Sequence, residues 1–427
     1  MPAPTEPGNL PAPLFRRIVW IVLLVAVIVA PVVQLHFVNR AMPPAKADLV
    51  PVWIGARVAL HHGNPYSDQT TRQIQISYYG RPLRPSDNVN KMAYAYPAHT
   101  LILFGWIAPA SWHTVRLIFL TLLPLLTALS VPLWLGAAGI HLSPPRMALT
   151  LALTLASWPV MWGIHQIQPT LVVACLVAAG CWLFRRNQLV PSGVLFALAT
   201  IKPQLVGPLI AWLCLSAILR RRWSFLVSLF LTTAALLGAA TWLVPGWVPQ
   251  WRAAMADYVV YRHLKPDLEL LFGHWIGLAL SLVIAAATAV TLWRGRKCPP
   301  DSPAFAGLCF LVLAATVCLV PNEMAMIYNH ILLIPACFVL LFVEPATPLA
   351  ASIRRIAVAQ IVIDFAILPI CALAALIAGP ANLWDVLPCM DFLLPTLTTA
   401  FLIAQLTRLP FPRLSPAAET SLTSAPA

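Results

Sequence analysis

Long apolar runs constrain the fold of this chain more than any other feature of its sequence. Runs long enough to span a bilayer recur from Ile18 to Leu406, and they are continuous rather than alternating. Backbone inside lipid must satisfy its own hydrogen bonds, so continuous runs of this length indicate transmembrane helices and not barrel strands. The composition agrees, because 60% of the residues are hydrophobic and 10% are charged, against about 25% charged in soluble domains. The sequence therefore predicts an all-α integral membrane protein, a polytopic bundle of about 10–12 transmembrane helices.

The candidate spans come from these runs. They are Ile18–Phe37, His113–Leu135, Met147–Ile164, Thr170–Phe184, Trp223–Val244, Leu271–Trp293, Pro303–Val320, Tyr328–Val343, Ile356–Ile377 and Val386–Leu406. Two further regions are too short for a simple assignment. Pro97–Ala110 reaches only ~21 Å as a helix, less than the ~30 Å hydrocarbon core. Val190–Leu219 is divided by Lys202-Pro203. Whether these two regions cross or re-enter the membrane is open at this point.

Basic clusters between the spans predict the orientation. The formal charge is +13, but the Lys and Arg residues flank apolar runs, which favours cytoplasmic anchors over a nucleic-acid surface. The clusters are Arg16-Arg17, Arg185-Arg186, Arg220–Arg222, Arg294/Arg296/Lys297, Arg354-Arg355 and Arg408/Arg413. This pattern predicts a multi-pass protein of the plasma (inner) membrane with both termini cytoplasmic. We expect a tail at 1–17, a transmembrane domain at 18–408 with a first outer loop at about 38–96, and a disordered cytoplasmic tail at 409–427.

The stretch Lys46–Tyr66 opens that first outer loop. Leu49, Trp53, Ala56 and Leu60 recur at helical spacing, which indicates an amphipathic helix lying on the membrane or on neighbouring spans. Asp48 precedes this helix at the membrane boundary. Its carboxylate is either the cap of the helix or a functional base, and the two roles are compatible because a capped carboxylate is held in one rotamer.

Lys202 is the second candidate. It lies in LATIKPQL between two apolar half-spans, and Pro203 breaks the helix beside it. A Lys at membrane depth costs about 2.5–3.5 kcal/mol and is usually paired or functional, although a boundary Lys also snorkels to water. Because the cation coincides with a break that lets irregular backbone line a cavity, the pattern favours an anion site, with a phosphate as the natural ligand.

The remaining polar groups near spans are weaker candidates. His165 and Gln166 belong to a short polar turn, and His330 lies about one turn into a span. Arg262 belongs to an outer basic cluster that would suit a lipid phosphate or be merely solvated. Asp364 and Asp391 are intramembrane acids, which are functional candidates by default and equally suited to pairing across helices.

Several familiar signatures are missing from the sequence. It contains no Walker motif, GxGxxG fingerprint, HExxH or GxSxG motif. The nine cysteines form no CxxC pair, so neither a zinc site nor a disulfide framework is indicated. No carboxylate pair in the first loop suits a divalent cation. We therefore expect no cofactor and no divalent metal.

Four stretches in this order resemble glycosyltransferase family 87, the polyprenyl-phosphate-mannose-dependent α-mannosyltransferases of the membrane GT-C class. They are ADLVPVWIGARVALHHGNPY, YAYPAHTLILFGWIAPAS, GIHQIQPTLVVACL with GVLFALATIKPQL, and YNHILLIPA. The chain departs from the family pattern at His165-Gln166, where Gly-Gln is usual. It departs again at Asn322-Glu323-Met324, where the family is Ser-Pro-rich.

The resemblance implies a GT-C-like fold and an enzyme that moves a sugar, with mannose expected, from a polyprenyl-phosphate donor to a glycan or glycolipid acceptor. It implies that Asp48 is the catalytic base, that Lys202 occupies the Lys-Pro step and that His330 is the late polar His. The residue types fit this chemistry, since one carboxylate takes the acceptor proton in an inverting reaction. Cations at Lys202, His330 or Arg262 would stabilise the departing phosphate. Tyr66 and Tyr96 would stack on sugar, or else anchor the interface.

Two other functions stay open from the sequence. A secondary transporter or flippase would use Lys202, Asp364 and Asp391 as an ion or substrate path, although no inverted repeat is evident. A non-catalytic assembly partner would leave Asp48 facing solvent. A shared cavity for Asp48 and Lys202 distinguishes the enzyme from both alternatives.

Overall fold

The structure, a computed structural model, describes residues 47–84, 86–87, 89–262, 264–321, 324–378 and 393–407. These residues form helices and connecting segments, with no β-strand among them. In chain order the α-helices are α1 Val50–Leu60, α2 Asp68–Tyr79, α3 Thr100–Phe104, α4 Trp112–Ala138, α5 Pro144–Ala156, α6 Trp158–His165, α7 Pro169–Arg185, α8 Leu189–Ala199, α9 Pro203–Leu219, α10 Trp223–Leu243, α11 Trp247–Arg262, α12 Asp267–Phe272, α13 His274–Gly295, α14 Pro303–Leu319, α15 Ile334–Phe342, α16 Pro348–Ala378 and α17 Leu393–Leu406. Short 3₁₀ segments are Gly105–Ile107 and Met324–Leu333. The all-α prediction is confirmed.

Long apolar helices support a multi-pass membrane protein. Among the described residues, α4, α10 and α13 are each long and apolar enough to cross a bilayer. The pair α5 and α6 passes the same test together, with a bend of 54° at the break between them. Shorter apolar helices make up most of the remaining bundle. The total of about 10–12 crossings stays a prediction. The first candidate span, Ile18–Phe37, and both tails lie outside the described residues.

The two short apolar regions form broken helices. Within Pro97–Ala110 the chain forms only α3 and the 3₁₀ segment Gly105–Ile107, which are too short to cross a bilayer. Val190–Leu219 becomes the separate helices α8 and α9, which stop and restart around Lys202. Pro203 explains the restart, because proline suits the first turn of a helix and not its interior.

Arginine side chains close the helix ends at one side of the bundle. Arg185, the last residue of α7, donates to the carbonyl oxygens of Gly136 and Ala137 at the end of α4, at 3.0 and 2.8 Å. Arg222 donates to the carbonyl oxygen of Phe184 at 3.0 Å. These bonds satisfy carbonyl groups that have no partner inside their own helices. Helix α7 therefore begins at one side of the bundle and ends at a basic cluster on the other.

Close contacts between helices need small residues at a few positions. A Cβ atom added to Gly180 of α7 would lie 2.8 Å from the ring of Phe196 in α8. A Cβ atom added to Gly193 of α8 would lie 2.1 Å from the hydroxyl of Ser228 in α10. Helices α7, α8 and α10 can therefore approach one another only because these positions carry no side chain.

Helix α1 packs into the protein, as its apolar spacing predicts. Leu49, Trp53 and Ala56 are buried, whereas Leu60 is exposed. The indole nitrogen of Trp53 donates to the carbonyl oxygen of Ala110 at 3.1 Å. The segment before the first turn of α1 is thereby fixed against the bundle, which positions Asp48.

Candidate active site

Asp48 lies immediately before α1 and is half-buried. The helix begins at Val50 with Leu49 in the capping position, and no side-chain capping bond forms there. The prediction of Asp48 as the cap of this helix is therefore wrong. The amide nitrogen of Asp48 donates to the carbonyl oxygen of Gln166 at 2.8 Å. This bond joins the first loop to the polar turn between α6 and α7.

A glutamine side chain connects the predicted base to the predicted cation. The Nε2 amide group of Gln168 donates a hydrogen bond to the carboxylate of Asp48. The Oε1 atom of Gln168 accepts from the ammonium group of Lys202 at 2.9 Å. The reversed amide would place two acceptors together at Asp48 and two donors together at Lys202. Gln168 can satisfy both neighbours in one orientation only, and it holds an acid and a cation one amide group apart.

Lys202 is buried, and its ammonium group is held on several sides. It donates to the hydroxyl of Thr170 at 2.5 Å in addition to Gln168. The hydroxyl of Thr170 donates in turn to the side-chain oxygen of Asn329 at 3.3 Å. The ring of Tyr328 lies 4.9 Å from the ammonium nitrogen, within reach of a cation–π interaction. The Lys is thus fixed by hydrogen bonds and an aromatic ring instead of snorkelling to water.

Three helices begin at this point. Asp48 lies just before α1, Gln168 is the N-cap of α7, and Lys202 is the N-cap of α9. The N-terminus of a helix carries a partial positive charge and amide groups without helical partners. The three N-termini therefore add a positive potential to that of Lys202, which favours an anionic ligand.

Local backbone geometry aims Gln168 into this site. Ile167 has φ of 49°, an outlier for a β-branched residue. Gln168 precedes Pro169 and is extended, with φ of −82° and ψ of 125°, as expected for a residue before proline. Strained residues of this kind persist where the surrounding structure over-determines them, and they cluster at functional sites.

Asp48 and Lys202 share one cavity of about 230 Å³. Its polar and aromatic lining, apart from these two residues, consists of Asn90, Tyr96, Gln168, Gln204, Trp251, Tyr258, Tyr328 and Asn329. The lining comes from the first loop, α9, α11 and the 3₁₀ segment. The structure thus brings together the two residues that the sequence analysis singled out first.

Tyr96 and Tyr66 have different positions relative to this cavity. Tyr96 lines it, whereas the Tyr66 hydroxyl donates to the carbonyl oxygen of Tyr96 at 2.7 Å and so supports the wall from behind. Burial raises the pKa of both phenols well above their usual value, and the negative charge of Asp48 adds to the effect on Tyr96. Both hydroxyls therefore stay protonated and able to donate hydrogen bonds.

His165 and Gln166 are not among the residues that line this cavity. Gln166 contributes its backbone carbonyl to Asp48, and the ring of His165 packs 5.5 Å from that of Trp162. Arg262 is the last residue of α11. Asp364 lies in α16, and Asp391 lies outside the described residues.

His330 lines a second, larger cavity, a groove of about 430 Å³. The groove runs along α5 from Arg146 to Thr154, reaches Trp158 at the start of α6 and continues past Leu333 and Phe338. Its walls are apolar over most of their length. Since Tyr328 and Asn329 line the polar cavity, the segment 328–330 separates the two spaces.

The sequence analysis missed three polar residues around Lys202, because Gln168, Thr170 and Asn329 were not singled out. One signal for Gln168 was available, because a polar residue directly before Pro169 is extended and cannot continue a helix. Thr170 and Asn329 carried no such signal, since their contacts depend on how α7 meets the 3₁₀ segment.

The family model for Glycosyltransferase family 87 matches residues 94–321, more than half of the chain. The chain belongs to glycosyltransferase family 87. The matched region includes Tyr96, Gln168 and Lys202, whereas Asp48 and His330 lie outside it. No curated protein and no solved structure matches the chain.

Membership of family 87 makes this protein a membrane glycosyltransferase, and it favours that activity over the transport alternative. The roles of individual residues, the donor and the acceptor are not given by the match. Within the residues that the structure describes, no group of three His, Cys, Asp or Glu side chains could hold a metal ion. Independence from metals and cofactors stays a prediction for this family 87 enzyme.

Proposed function

We propose that this family 87 enzyme transfers a sugar, with mannose expected, from a polyprenyl-phosphate donor to a hydroxyl group of a lipid- or glycan-linked acceptor. The transfer inverts the anomeric carbon and takes place at the non-cytoplasmic face of the plasma (inner) membrane. Asp48, Gln168 and Lys202 form a hydrogen-bonded chain at one cavity, which we call the joint, and this observation carries the proposal.

The residues of the joint suit each part of the reaction. The acceptor oxygen attacks the anomeric carbon, a new C–O bond forms, and the bond from that carbon to the phosphate oxygen breaks. The acceptor proton passes to the carboxylate of Asp48, and the phosphate leaves with the bonding electron pair. Lys202 and the three helix N-termini stabilise the charge that grows on the phosphate.

The leaving group explains why one carboxylate suffices. A phosphate needs no proton to depart, so the site needs a base and a cation rather than the two carboxyl groups of a typical glycosidase. Gln168 separates Asp48 from Lys202, which keeps the base from forming a direct ion pair with the cation. A cavity of about 230 Å³ has room for a single sugar ring and not for an oligosaccharide.

The apolar groove supports a lipid-linked donor. It has a volume of about 430 Å³, within the roughly 300–1,000 Å³ of most ligand pockets. It follows α5 from Arg146 to Thr154, or roughly 12 Å at 1.5 Å per residue. Only the segment 328–330 separates it from the polar cavity, so a hydrocarbon chain in the groove would bring its phosphate close to the joint.

The opposite ends of α7 and α9 support a cavity at the non-cytoplasmic face of the membrane. Each helix begins at the cavity, with Gln168 or Lys202, and ends at a basic cluster, Arg185-Arg186 or Arg220–Arg222. Basic clusters near span ends mark the cytoplasmic side. The cavity then lies at the other face of the membrane, where lipid-linked sugars replace nucleotide sugars as donors.

The test is sugar transfer by the purified protein in detergent or nanodiscs. The donors are polyprenyl-phosphate mannose with a long or a shortened chain, polyprenyl-phosphate glucose and a nucleotide sugar, with a glycolipid fraction as acceptor. We expect transfer from the long-chain lipid donor and a higher KM for the shortened one. Asp48→Asn should lower kcat by about 10²–10⁴-fold, the usual contribution of a general base. The substitution keeps an acceptor oxygen for Gln168, so folding should be preserved.

Asp257→Asn is the matched control, because Asp257 pairs with Lys91 at the surface of α11 and has a 67% exposed side chain. This control should transfer sugar at the rate of the unchanged protein. Full activity of Asp48→Asn would exclude Asp48 as the base. Transfer only from the nucleotide sugar would exclude the lipid-linked donor.

A further inference from the structure

A fully buried acid lies against His330. Asp267, the first residue of α12, has no exposed side-chain surface, and its Oδ2 atom is 3.8 Å from Nε2 of His330, which is 1% exposed. An ionised carboxylate away from water costs several kcal/mol unless it meets a partner of opposite charge. Asp267 was not singled out in the sequence, where it stands in the polar stretch Arg262-His263-Leu264-Lys265-Pro266-Asp267, so its burial against a histidine is a finding of the structure.

Close packing of the backbone keeps Asp267 in this position. Glycine at 277, in the first turn of α13, lies so near α12 that an added Cβ atom would come within 2.5 Å of the Cα atom of Glu269. Gly273 joins the two helices with φ of 78°, a left-handed conformation that favours glycine. Helix α12 is therefore held tightly against α13, and Asp267 is directed inward.

His330 lies between this acid and the apolar groove, and its neighbours in the chain line the polar cavity. It lines the apolar groove, while Tyr328 and Asn329, its neighbours on the same segment, contact Lys202 and Thr170 at the polar cavity. The ring thus lies at the boundary between a space suited to a hydrocarbon chain and a space suited to a sugar. A phosphate that links the two must pass this boundary.

We propose that Asp267 is a positioning residue for His330, and that its carboxylate favours a protonated imidazole, which serves as a second cationic group for the phosphate of the lipid-linked donor, beside Lys202. This inference rests on the proposed function and assigns a role to Asp267, a residue inside the matched region to which the match to family 87 gives no function. The carboxylate lies 3.8 Å from Nε2 of the ring, beyond hydrogen-bond distance, so it acts on the imidazole through its charge. Both ring nitrogens then carry a proton, and Nδ1 donates to the phosphate.

The electrostatics of the pair change when the donor binds. Burial alone disfavours a charged imidazole, whereas an opposite charge within about 4–6 Å favours it. With the phosphate bound, the ring has an anion on each side. As the bond to the sugar breaks, the charge on the phosphate grows, so the pair acts more strongly in the transition state than in the ground state.

The test combines kinetics with binding of polyprenyl monophosphate, the product of the transfer. Asp267→Asn keeps the shape of the side chain and removes its charge, and it should lower kcat by about 10–100-fold, as loss of an orienting partner does elsewhere. The KM for the donor should change less than kcat. His330→Gln should show the same loss, and the double variant should lose no more than His330→Gln alone, since the two residues act as one unit.

Glu269→Gln is the matched control. Glu269 belongs to the same helix and pairs with the exposed ring of His274 at 2.9 Å, so it reproduces an acid–histidine pair away from the cavities. Its kcat should stay within about twofold of the unchanged protein, because surface pairs contribute little. Thermal unfolding in detergent should show that each variant is folded.

Three results would overturn the inference. The first is an Asp267→Asn variant with unchanged kcat, and the second is a double variant whose losses multiply. The third is unchanged binding of polyprenyl monophosphate by His330→Gln, a measurement that needs neither sugar transfer nor a folded Asp267 variant. If the unchanged protein transfers no sugar from a lipid donor, the proposed function fails. Weaker binding of polyprenyl monophosphate by the variants would then still support the pair as a phosphate site.

Discussion

The substitution Gln168→Glu offers the sharpest test of the joint, because it replaces the hydrogen-bond donor that faces Asp48 with an acceptor. In Gln168→Glu, an oxygen replaces the Nε2 amide group that donates to Asp48. Two carboxylates then face each other at about 3 Å, an ordinary hydrogen-bond separation. They must share a proton, as paired carboxylates in other sites do. The proton makes Asp48 unable to accept another one from the acceptor.

The geometry gives the size of this effect. Two unit charges at about 3 Å repel by about 5 kcal/mol at an effective dielectric constant of about 20. Lys202 lies 2.9 Å from the other oxygen of the side chain, and its positive charge opposes this repulsion, so about 5 kcal/mol is the upper limit of the effect. A loss of about 100-fold at neutral pH corresponds to about 2.7 kcal/mol, roughly half of that limit. The loss should shrink as the pH rises and the shared proton is removed.

The assay is the pH dependence of kcat from pH 6 to pH 9.5 with saturating lipid-linked donor. The unchanged protein should vary little over this range in comparison with the variant, whose kcat should rise by up to about tenfold per pH unit. Gln204→Glu is the matched control, because Gln204 lines the same cavity and is exposed. This control adds the same charge to the cavity without breaking the bond to Asp48.

A flat pH profile for Gln168→Glu, at the rate of the unchanged protein, would refute the reasoning. It would mean that the carboxylate of Asp48 does not take the acceptor proton, or that Gln168 does not contact it in the working enzyme. An equal loss in Gln204→Glu would show that added charge in the cavity, and not the joint, explains the effect. Thermal unfolding of each variant separates both results from a loss of folding.

Two further predictions concern stability. Gly193→Ala should destabilise the protein by about 1–3 kcal/mol, because the added methyl group overpacks against Ser228. Gly207→Ala is the control, since its added Cβ atom would meet nothing within 4 Å, and it should be neutral or stabilise the protein by up to about 1 kcal/mol. Thermal unfolding in detergent compares the two variants, and equal melting temperatures would contradict the packing argument. The second prediction concerns the ion pair of Arg81 and Asp87, because Arg81 holds the pKa of Asp87 at about 2. The ion pair therefore stabilises the first loop fully at pH values above about 4, the ordinary pKa of a carboxyl group. This stabilisation is lost as the pH falls towards 2. Hydrogen-exchange protection factors at residues 81–87 should therefore hold at pH 5 and fall at pH 2.5, and unchanged protection in Asp87→Asn at pH 5 would contradict this.

The sequence predicted the helices well because apolar runs of span length allow few alternatives. The start of α9 was predictable from Pro203, and the separation of α8 and α9 followed from the same residue. The boundary of α1 was predicted less well. Asp48 looked like a cap, but its carboxylate turns towards α7, which lies 120 residues away in the chain. A preference for capping is a local effect of about 1 kcal/mol, and a long-range bond to Gln168 outweighs it.

The residues of the candidate site were likewise predicted only in part. Asp48 and Lys202 were found because charged residues are rare near apolar runs and costly there. Gln168 carried one signal, its place before Pro169, whereas nothing in the sequence neighbourhoods of Thr170 and Asn329 distinguishes them from packing residues. Asp267 was not singled out because its sequence context is a polar loop, and only the close approach of α12 to α13 buries it.

The position of the site follows from the physics of an apolar bundle. Inside lipid, backbone leaves helical geometry only where protein or a water-filled cavity can satisfy it. The breaks before Pro169 and Pro203 are such places, and the N-cap residue at each break, Gln168 or Lys202, is polar. The free amide groups of these helix starts need an acceptor, and an anionic substrate supplies one. A protein of this composition therefore concentrates its polar chemistry where helices begin, which is why one acid, one amide and one cation meet at the same cavity.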